Sequence, residues 1–194
     1  NKKDAPPPVK INPGFSEYIS AYTSGVISAN STIRIKLSNQ LAKDVEPGTY
    51  VNLDLFSFSP KINGKVFWID NRTLEFRPDN KLESGQIYEC KFKLSELTEV
   101  PEEFKVFPLQ FQVIKQNFRI SNITFDPYSD NDLKYNKLQG DFTSADVVEN
   151  QVIEDIFKAS IDDKTLDVKW SHDQEAKKHH FIIDSVLRAK EDRI

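Results

Sequence analysis

Three histidines near the end of the chain are the first residues whose types could do chemistry. His172, His179 and His180 are separated only by a polar stretch that predicts a turn. Adjacent strand residues point to opposite faces, so only one of His179 and His180 can meet His172 across such a hairpin. A zinc site needs three or four ligands that converge on one point. We therefore expect a solvated hairpin here in preference to a metal centre.

The sequence offers no well-placed nucleophile. Cys90 is the only cysteine, and it alternates with Tyr88 and Phe92 in an apolar pattern, whereas a reactive thiol needs exposure and a neighbouring base. Ser171-His172-Asp173 is not a triad, because consecutive residues cannot form the required relay of hydrogen bonds. None of the six glycines has the spacing of a phosphate-binding loop. We predict a buried Cys90, no catalytic or cofactor-binding residues, no cofactor, and no enzymatic activity.

An acidic segment could attract calcium. Asp126, Asp130 and Asp132 lie close together in a polar, turn-like stretch from Asp126 to Lys134. Calcium is bound by several carboxylate and carbonyl oxygens, and an EF-hand adds a central glycine and a final glutamate. Both of these are missing here, so we expect a solvated loop.

Three aromatic residues could line a carbohydrate-binding platform. Tyr18 and Tyr22 are four residues apart, which places them on one face if they share a strand, and Trp68 is the third ring. Aromatic rings are also the side chains that β-sandwiches bury most readily. We expect core packing, and exposure of the three rings in one patch would instead indicate glycan binding.

The composition is that of a soluble globular protein. Of 194 residues, 38% are hydrophobic and 29% are charged. The 26 basic and 30 acidic residues give a net charge of −4, which argues against nucleic acid as a partner. No apolar run approaches the roughly 18–20 residues that a membrane span needs.

The first residues read as a spacer. A charged segment leads into Pro6-Pro7-Pro8, and proline-rich chains are stiff and extended. Either the chain starts at an arbitrary point, or residues 1–9 are a flexible tether of a secreted protein or lipoprotein. The abrupt end at Arg193-Ile194 suggests a piece of a longer chain.

Alternation with a period of two dominates the first half of the chain and predicts strands with one apolar face. The turn candidates Glu46-Pro47-Gly48 and Asp70-Asn71 separate such runs, and Pro108 on a polar face suggests an edge strand or a bulge. About seven strands predict an Ig-like sandwich over residues 10–115. The apolar positions in these runs are Ile33, Ile35, Leu37, Leu74, Phe76, Tyr88, Cys90, Phe92, Leu94, Phe107, Leu109, Phe111 and Val113.

The pattern changes after Lys115. Strand signals broken near Ser121-Asn122 are followed by a helical spacing of apolar residues that predicts a short helix near 147–158, capped by Ser144 or Asp146. Strand signals then resume. Residues 116–194 are therefore expected to form a second β domain with one helix, which makes the whole chain all-β, with two sandwich domains in tandem.

The segment from Phe56 to Tyr88 resembles a bacterial Ig-like domain of surface-layer and cell-envelope proteins. The pattern consists of Phe56-Ser57-Phe58-Ser59-Pro60, Gly64-Lys65-Val66-Phe67-Trp68, Asn71-Arg72-Thr73-Leu74-Glu75-Phe76-Arg77-Pro78, Leu82, Gly85 and Tyr88. The aromatic residues fill the sandwich and the prolines end strands.

Nearly the whole chain is similar to the N-terminal region of alpha-2-macroglobulin-like lipoproteins of Bacteroidetes-type bacteria. The similarity is carried by the segments 15–28 and 111–118, and by Trp170 to Phe181 in a macroglobulin-type β domain. The resemblance implies a large cell-envelope inhibitor that traps proteases after cleavage of a bait region. Many members use a thioester in a Cys-x-Glu-Gln motif, whereas Cys90 is followed by Lys91-Phe92-Lys93, so no functional residue carries over.

The resemblance implies a non-enzymatic scaffold that positions the trapping body near a membrane. Its expected partners are the remaining domains of a longer chain, proteases through the full-length protein, and a membrane only through an upstream lipid anchor. The expected location is the cell envelope, periplasmic or surface-exposed. The alternative is a surface adhesion or glycan-binding Ig-like module.

Overall fold

A computed structural model describes residues 9–41, 45–129 and 132–188, and for residues 128, 129, 132 and 133 the backbone alone. The described part of the chain is all-β apart from one short α-helix and three 3₁₀ turns. It divides into two compact units, with the boundary between Ile114 and Lys115. The expected tether lies almost wholly outside the described residues. Among those residues, no helix has the length and apolar character that crossing a bilayer requires.

Unit 1 consists of two facing sheets. The first has the order β1-β3-β7-β6-β4 and the second the order β2-β9-β8-β5. Both contribute to one apolar core, in which Phe58 of the second sheet contacts Phe76 of the first with 4.7 Å between ring centroids. The strands are β1 (Ile19–Tyr22), β2 (Gly25–Ile27), β3 (Ile33–Leu37), β4 (Thr49–Val51), β5 (Phe56–Ser59), β6 (Gly64–Trp68), β7 (Thr73–Pro78), β8 (Ile87–Lys93) and β9 (Val106–Val113).

The alternating apolar positions of unit 1 are buried as predicted. The Glu46-Pro47-Gly48 turn is confirmed, because the Thr49 amide donates to the Glu46 carbonyl at 3.1 Å and Gly48 has a φ of +91°. Pro108 lies on a locally open edge, since β2 pairs with β9 only at residues 111–113. The missing amide proton of Pro108 therefore interrupts no pairing on that side.

Glu75 departs from the alternation. It lies on the polar side of β7, yet it is 3% exposed. Arg34 and Arg77 each contact its carboxylate at 2.6 Å, and the Thr32 hydroxyl donates to it at 3.0 Å. Two guanidinium groups thus cover an outer-face carboxylate, and these hydrogen bonds outweigh the burial that opposes ionisation, so the pKa of Glu75 is lowered.

Unit 2 is built on one four-stranded antiparallel sheet of order β10-β11-β15-β14. A separate two-stranded sheet and the helix contribute the other side of its core, in which Ile153 of the helix is fully buried. The elements are β10 (Phe118–Ser129), β11 (Asp132–Ser144), α1 (Asn150–Ile156), β12 (Ala159–Ile161), β13 (Lys164–Leu166), β14 (Lys169–Asp173) and β15 (Lys178–Leu187).

The expected break near Ser121-Asn122 is a β-bulge inside one continuous strand. Ser121 pairs with Asp141 and Thr124 with Gln139, so β10 has one more residue than β11 between these pairs. Asn122 has a φ of +52°, a conformation that asparagine tolerates better than most residues. The prediction that Asp126 to Lys134 is turn-like was wrong for most of that range, because β10 continues to Ser129 and β11 starts at Asp132.

The helix is shorter than predicted and has a different cap. It covers Asn150–Ile156, and its N-cap is Glu149, which makes no side-chain capping bond. The Ser144 hydroxyl instead donates to the Asp146 carbonyl, and the Asp146 carboxylate accepts from the Val147 amide, so both expected caps stabilise the turn before the helix. Only two turns long, the helix buries Ile153 and leaves Val152 and Ile156 exposed.

Candidate functional site

His172 and His179 face each other across the β14–β15 hairpin on the helix-covered side of the unit 2 sheet. Their Nδ1 atoms are 2.8 Å apart, so one ring donates a hydrogen bond to the other. Nε2 of His172 lies 3.2 Å from a carboxylate oxygen of Glu154 on α1. The hairpin expectation thus holds, with His179 as the partner of His172, but the pair lies in the interior and is not solvated. We call these three residues the inner histidine cluster.

When both rings are neutral, the hydrogen bonds of the inner histidine cluster determine which nitrogen atoms carry the protons. A neutral His172 that donates to Glu154 through Nε2 accepts at Nδ1, so His179 donates through its own Nδ1. Nε2 of His179 is then a bare lone pair; it is buried and has no hydrogen-bond partner among the described residues. Burial lowers the pKa of His179, and charge on His172 lowers it further. The lowered pKa favours the neutral form of the His179 ring.

A metal ion would find two nitrogen ligands between these rings, fewer than zinc requires. Glu154 binds the far side of the His172 ring and so does not complete the set. Across the described ranges, no group of three or more histidine, cysteine, aspartate or glutamate residues is arranged to hold a metal ion. That the chain binds no metal tightly stays a prediction.

Asp141 is the centre of a second polar cluster, on the opposite face of the same sheet. Its carboxylate accepts from Asn122 at 2.6 Å and from Lys178 at 2.8 Å, and it lies 3.1 Å from Nδ1 of His180. Lys178 is the largest cause of the strong lowering of the pKa of Asp141, followed by Asn122 and His180. We call these four residues the outer aspartate cluster.

The outer aspartate cluster explains how the bulge is held. Asn122 is the bulge residue with positive φ, and its side-chain amide is bound to Asp141 on the neighbouring strand. The residues are far apart in the sequence, and only the register of β10, β11 and β15 brings them together. Sequence reasoning therefore missed this cluster, and its geometry indicates a structural role.

A row of serine, histidine and aspartate nevertheless crosses this face. Ser171 pairs with His180 across β14 and β15, and His180 pairs with Asp141 across β15 and β11. A catalytic triad needs a hydrogen bond between the nucleophile and the base, and donors for an oxyanion. Among the described residues, no hydrogen bond joins the Ser171 hydroxyl to His180, and Lys178 neutralises the aspartate. The row therefore lacks the contacts of a working triad.

Cys90 is buried as predicted. It is 1% exposed on β8, within the apolar core of unit 1. Burial raises the pKa of its thiol to about 12. The thiolate needed for nucleophilic attack is therefore scarce at neutral pH.

The three candidate platform aromatics do not form one patch. Tyr22 and Trp68 lie at opposite ends of an inner-face row that runs through buried Ile35 and Leu74, three strand spacings or about 14 Å apart. The expectation that Tyr18 shares a strand face with Tyr22 was wrong. Tyr18 precedes β1 as the C-cap of the 3₁₀ turn Pro13–Glu17, and a register shift follows within β1.

The acidic segment is only partly described. Asp126 is exposed on β10, Asp132 starts β11, and Asp130 lies outside the described residues. The solvated loop expected in place of a calcium site stays a prediction.

A shallow groove beside β2 and β9 has a volume of about 280 Å³. This is at the small end of ligand-binding cavities. It is lined by apolar side chains with a few polar ones, among them Ile11, Tyr22, Val26, Gln110 and Gln112. Among the described residues that line the groove, none carries a charge that could orient a ligand.

Comparison with known proteins gives no family. No family profile and no curated protein matches the chain. Among solved structures it resembles an L,D-transpeptidase from Mycobacterium tuberculosis H37Rv, with a TM-score of 0.36, 10% identity, and coverage of 81% of this chain and 60% of that chain. L,D-transpeptidase 3 from Mycobacterium tuberculosis, in complex with a faropenem-derived adduct, matches with a TM-score of 0.36 and 8% identity over 81% of this chain and 58% of that one. This chain thus spans about three fifths of their length, and a likeness of this size establishes neither fold nor activity.

Proposed function

We propose that the chain is a non-enzymatic scaffold segment of a larger cell-envelope protein of the alpha-2-macroglobulin-like type. Unit 1 would be a bacterial Ig-like domain and unit 2 a macroglobulin-type β domain. Together they position the protease-trapping part of the protein near a membrane, to which an upstream lipid anchor attaches it. The support comes from the architecture of unit 1 and from the placement of its reactive and aromatic side chains.

The strand order of unit 1 supports an Ig-like domain. In such sandwiches, strands A, B, E and D form one sheet and C, F and G the other. The order β1-β3-β7-β6 matches the first sheet, and β9-β8-β5 matches the second as G, F and C. Strand β2 joins the second sheet parallel to β9. The extra strand β4 extends the first sheet at its edge.

Tyr88 is the observation that carries the Ig-like assignment. It lies near the start of β8, the strand that corresponds to F, two residues before Cys90. Its phenolic oxygen accepts a hydrogen bond from the Glu83 amide at 3.2 Å. A tyrosine at this place, bound to backbone a few residues upstream, is the tyrosine corner of Ig-like sandwiches.

The side-chain geometry favours scaffold over glycan binding or catalysis. A glycan platform needs adjacent open rings, whereas Tyr18 and Trp68 pack against the core and Tyr22 packs on Phe107 with 5.0 Å between ring centroids. Nucleophilic catalysis by a thiol needs an accessible, activated cysteine, whereas Cys90 is buried. The remaining polar clusters in unit 2 hold strands together.

Protease assays test the scaffold assignment. The purified chain is mixed with endopeptidases of different specificity, and cleavage of a protein-sized substrate is followed. We expect no inhibition, because a chain of 22.4 kDa cannot enclose a protease of similar size and lacks the thioester motif. Loss of substrate cleavage while the chain stays intact would contradict the proposal and indicate a direct inhibitor.

Oligosaccharide titration tests the alternative. Trp68 and Trp170 are the only tryptophans, so a Trp170→Phe variant reports from Trp68 alone. We expect soluble cell-wall and host-type glycans to leave the Trp68 fluorescence unchanged. A saturable change that Tyr22→Ala abolishes would favour the glycan-binding module instead.

A further inference from the structure

Strand β10 is an edge strand that exposes large apolar side chains. It lies at the end of the sheet order β10-β11-β15-β14. Ile120, Ile123 and Phe125 are 45%, 60% and 54% exposed. An edge strand offers unpaired backbone groups, and exposed apolar residues along it make strand pairing with another chain favourable.

The bulge places the side chains of this edge in a self-complementary pattern. Ile120 pairs with Phe142 and Phe125 with Leu138, and these two partners lie on the same face of β11 because they are four residues apart. Ile120 and Phe125 therefore share a face although they are an odd number of residues apart. By the same argument Arg119 and Asp126 share the other face.

An antiparallel copy of β10 fits this pattern. In the register that pairs residue i with residue 245 − i, Ile120 meets Phe125 and Ser121 meets Thr124. Arg119 meets Asp126, so opposite charges face each other twice, once on each side of the two-fold axis. Arg119 and Asp126 are both exposed and neither makes an ion pair within the described ranges, although Asp126 lies opposite Lys137 on β11 of its own chain.

We propose that two copies of this chain associate through their β10 strands in this register, which joins the two four-stranded sheets into one. The inference is independent of the scaffold proposal. Each copy contributes Ile120, Ile123 and Phe125 to the apolar side and Arg119 and Asp126 to the charged side. The pairing forms two short ladders, residues 119–121 with 124–126 of the other copy, on either side of the bulges.

The structure also limits the strength of the dimer. The bulge interrupts the ladder at Asn122, and Pro127 has no amide proton to donate at its end. An interface this small belongs to the weak, transient class. The association is therefore concentration-dependent and is measured by sedimentation up to about 1 mM chain, so that dissociation constants up to that value are detected.

Charge reversal tests the register. We expect Arg119→Asp and Asp126→Arg each to weaken association by about tenfold, because each replaces two attractive pairs with two repulsive ones. An equimolar mixture of the two variants restores dimers, since one chain then carries only acidic and the other only basic residues at these positions. The double variant, with the charges exchanged, also restores self-association.

Net charge alone cannot produce this result. The chain has a net charge of −4, which Arg119→Asp makes two units more negative and Asp126→Arg two units less negative. If association depended on net charge alone, it would weaken in the first variant and strengthen in the second. Lys65→Asp, on an exposed strand position of unit 1, is the matched control and leaves association unchanged. Ile123→Lys abolishes dimers, whereas Val26→Lys, at an exposed apolar position of another edge strand, does not.

Three outcomes would overturn the proposal. One is a monomer throughout the concentration range. Another is association that Arg119→Asp leaves intact, and the third is a mixture of the two charge variants that stays monomeric. Far-ultraviolet circular dichroism and thermal melting of each variant show that it is folded, which is expected because every substituted side chain is exposed.

Discussion

Unit 1 and unit 2 bury their sheets in different ways. In unit 1 a second sheet packs against the first, and 20 buried hydrophobic residues form the core of its described part. In unit 2 a helix of seven residues and a two-stranded sheet cover a four-stranded sheet, and five such residues are buried among those described. The helix and the two-stranded sheet leave apolar side chains exposed on β10. Unit 2 also has polar clusters on both faces of its sheet.

The largest expected difference between the units is in the energetic cost of removing a phenylalanine ring. Phe92 is fully buried in unit 1, whereas Phe125 is 54% exposed in unit 2. Phe92→Ala should reduce the free energy of unfolding by about 3–5 kcal/mol. Phe125→Ala should change it by less than about 0.5 kcal/mol at concentrations where the chain is monomeric. Urea unfolding measures both, and similar losses would show that the edge of unit 2 is packed after all.

The next effect is the protection of Cys90. Because the thiol is buried and its pKa is raised to about 12, labelling of the native chain should be at least about 100-fold slower than that of the unfolded chain. The control is a Cys90→Ser chain that carries Ser57→Cys, an exposed position on the neighbouring strand β5. That control should label equally fast in both states. Rapid stoichiometric labelling of native Cys90 would contradict the core of unit 1.

Glu75 tests how much the polar surface of unit 1 contributes. Glu75→Gln keeps the shape of the side chain but removes the charge that Arg34 and Arg77 share. We expect the free energy of unfolding to fall by about 1–2 kcal/mol. Charge-assisted hydrogen bonds are stronger than neutral ones, but both arginines are exposed to solvent, which limits the effect. Lys65→Gln, an exposed neighbour on β6, is the control with an expected change near zero. An unchanged free energy of unfolding for Glu75→Gln would mean that the two guanidinium groups cover the carboxylate without stabilising the fold.

The smallest effect is the pH dependence of unit 2. The pKa of His179 is lowered from its ordinary 6.5, so the unfolded chain binds this proton more readily than the folded one. The stabilisation is therefore complete above pH 6.5 and is lost as the pH falls below it. The pKa of Glu75 in unit 1 is also lowered, but from 4.5, so its contribution is lost only in more acidic solution.

Tryptophan fluorescence can separate the pH range in which the His179 contribution is lost from the range in which the Glu75 contribution is lost. The Trp170 ring stacks on His172 with an interplanar angle of 14°, so a Trp68→Phe chain reports on unit 2 through Trp170. Between pH 7 and pH 5 the urea midpoint of unit 2 should fall, and His179→Gln should remove that dependence. His180→Gln, on the opposite face of the same strand, should retain it. A midpoint that does not change between pH 7 and pH 5 would show that the buried Nε2 atom finds a partner.

The difference between the units also decides what the sequence could predict. Strands in unit 1 have one dry and one wet face, so the apolar alternation at Ile33, Ile35 and Leu37 predicted both the strands and the core. The burial of Glu75 was not predicted, because it depends on two arginines supplied by β3 and β7. Alternation indicates which face is inward but not which polar residues cluster on the outside.

In unit 2 the decisive features are matters of register. The alternation at Phe118 and Ile120 predicted a strand, but the conformation of Asn122 and its bond to Asp141 depend on how β10 pairs with β11. The pairing of His172 with His179 was accessible from their spacing, whereas the contact with Glu154 needed the position of the helix. Local patterns carry no information about such long-range pairs.

The parallel pairing of β2 with β9 determines how unit 1 responds to tension. Gly25–Ile27 belongs to the first part of unit 1 and Val106–Val113 to its last, and the two run in the same direction side by side. A pull on the chain ahead of Gly25 and behind Val113 therefore acts along both strands in opposite directions. The hydrogen bonds between them are loaded in shear, all together, and cannot open one after another as in a zipper. Unit 1 is in this respect a mechanical clamp that resists extension between its first and last strands.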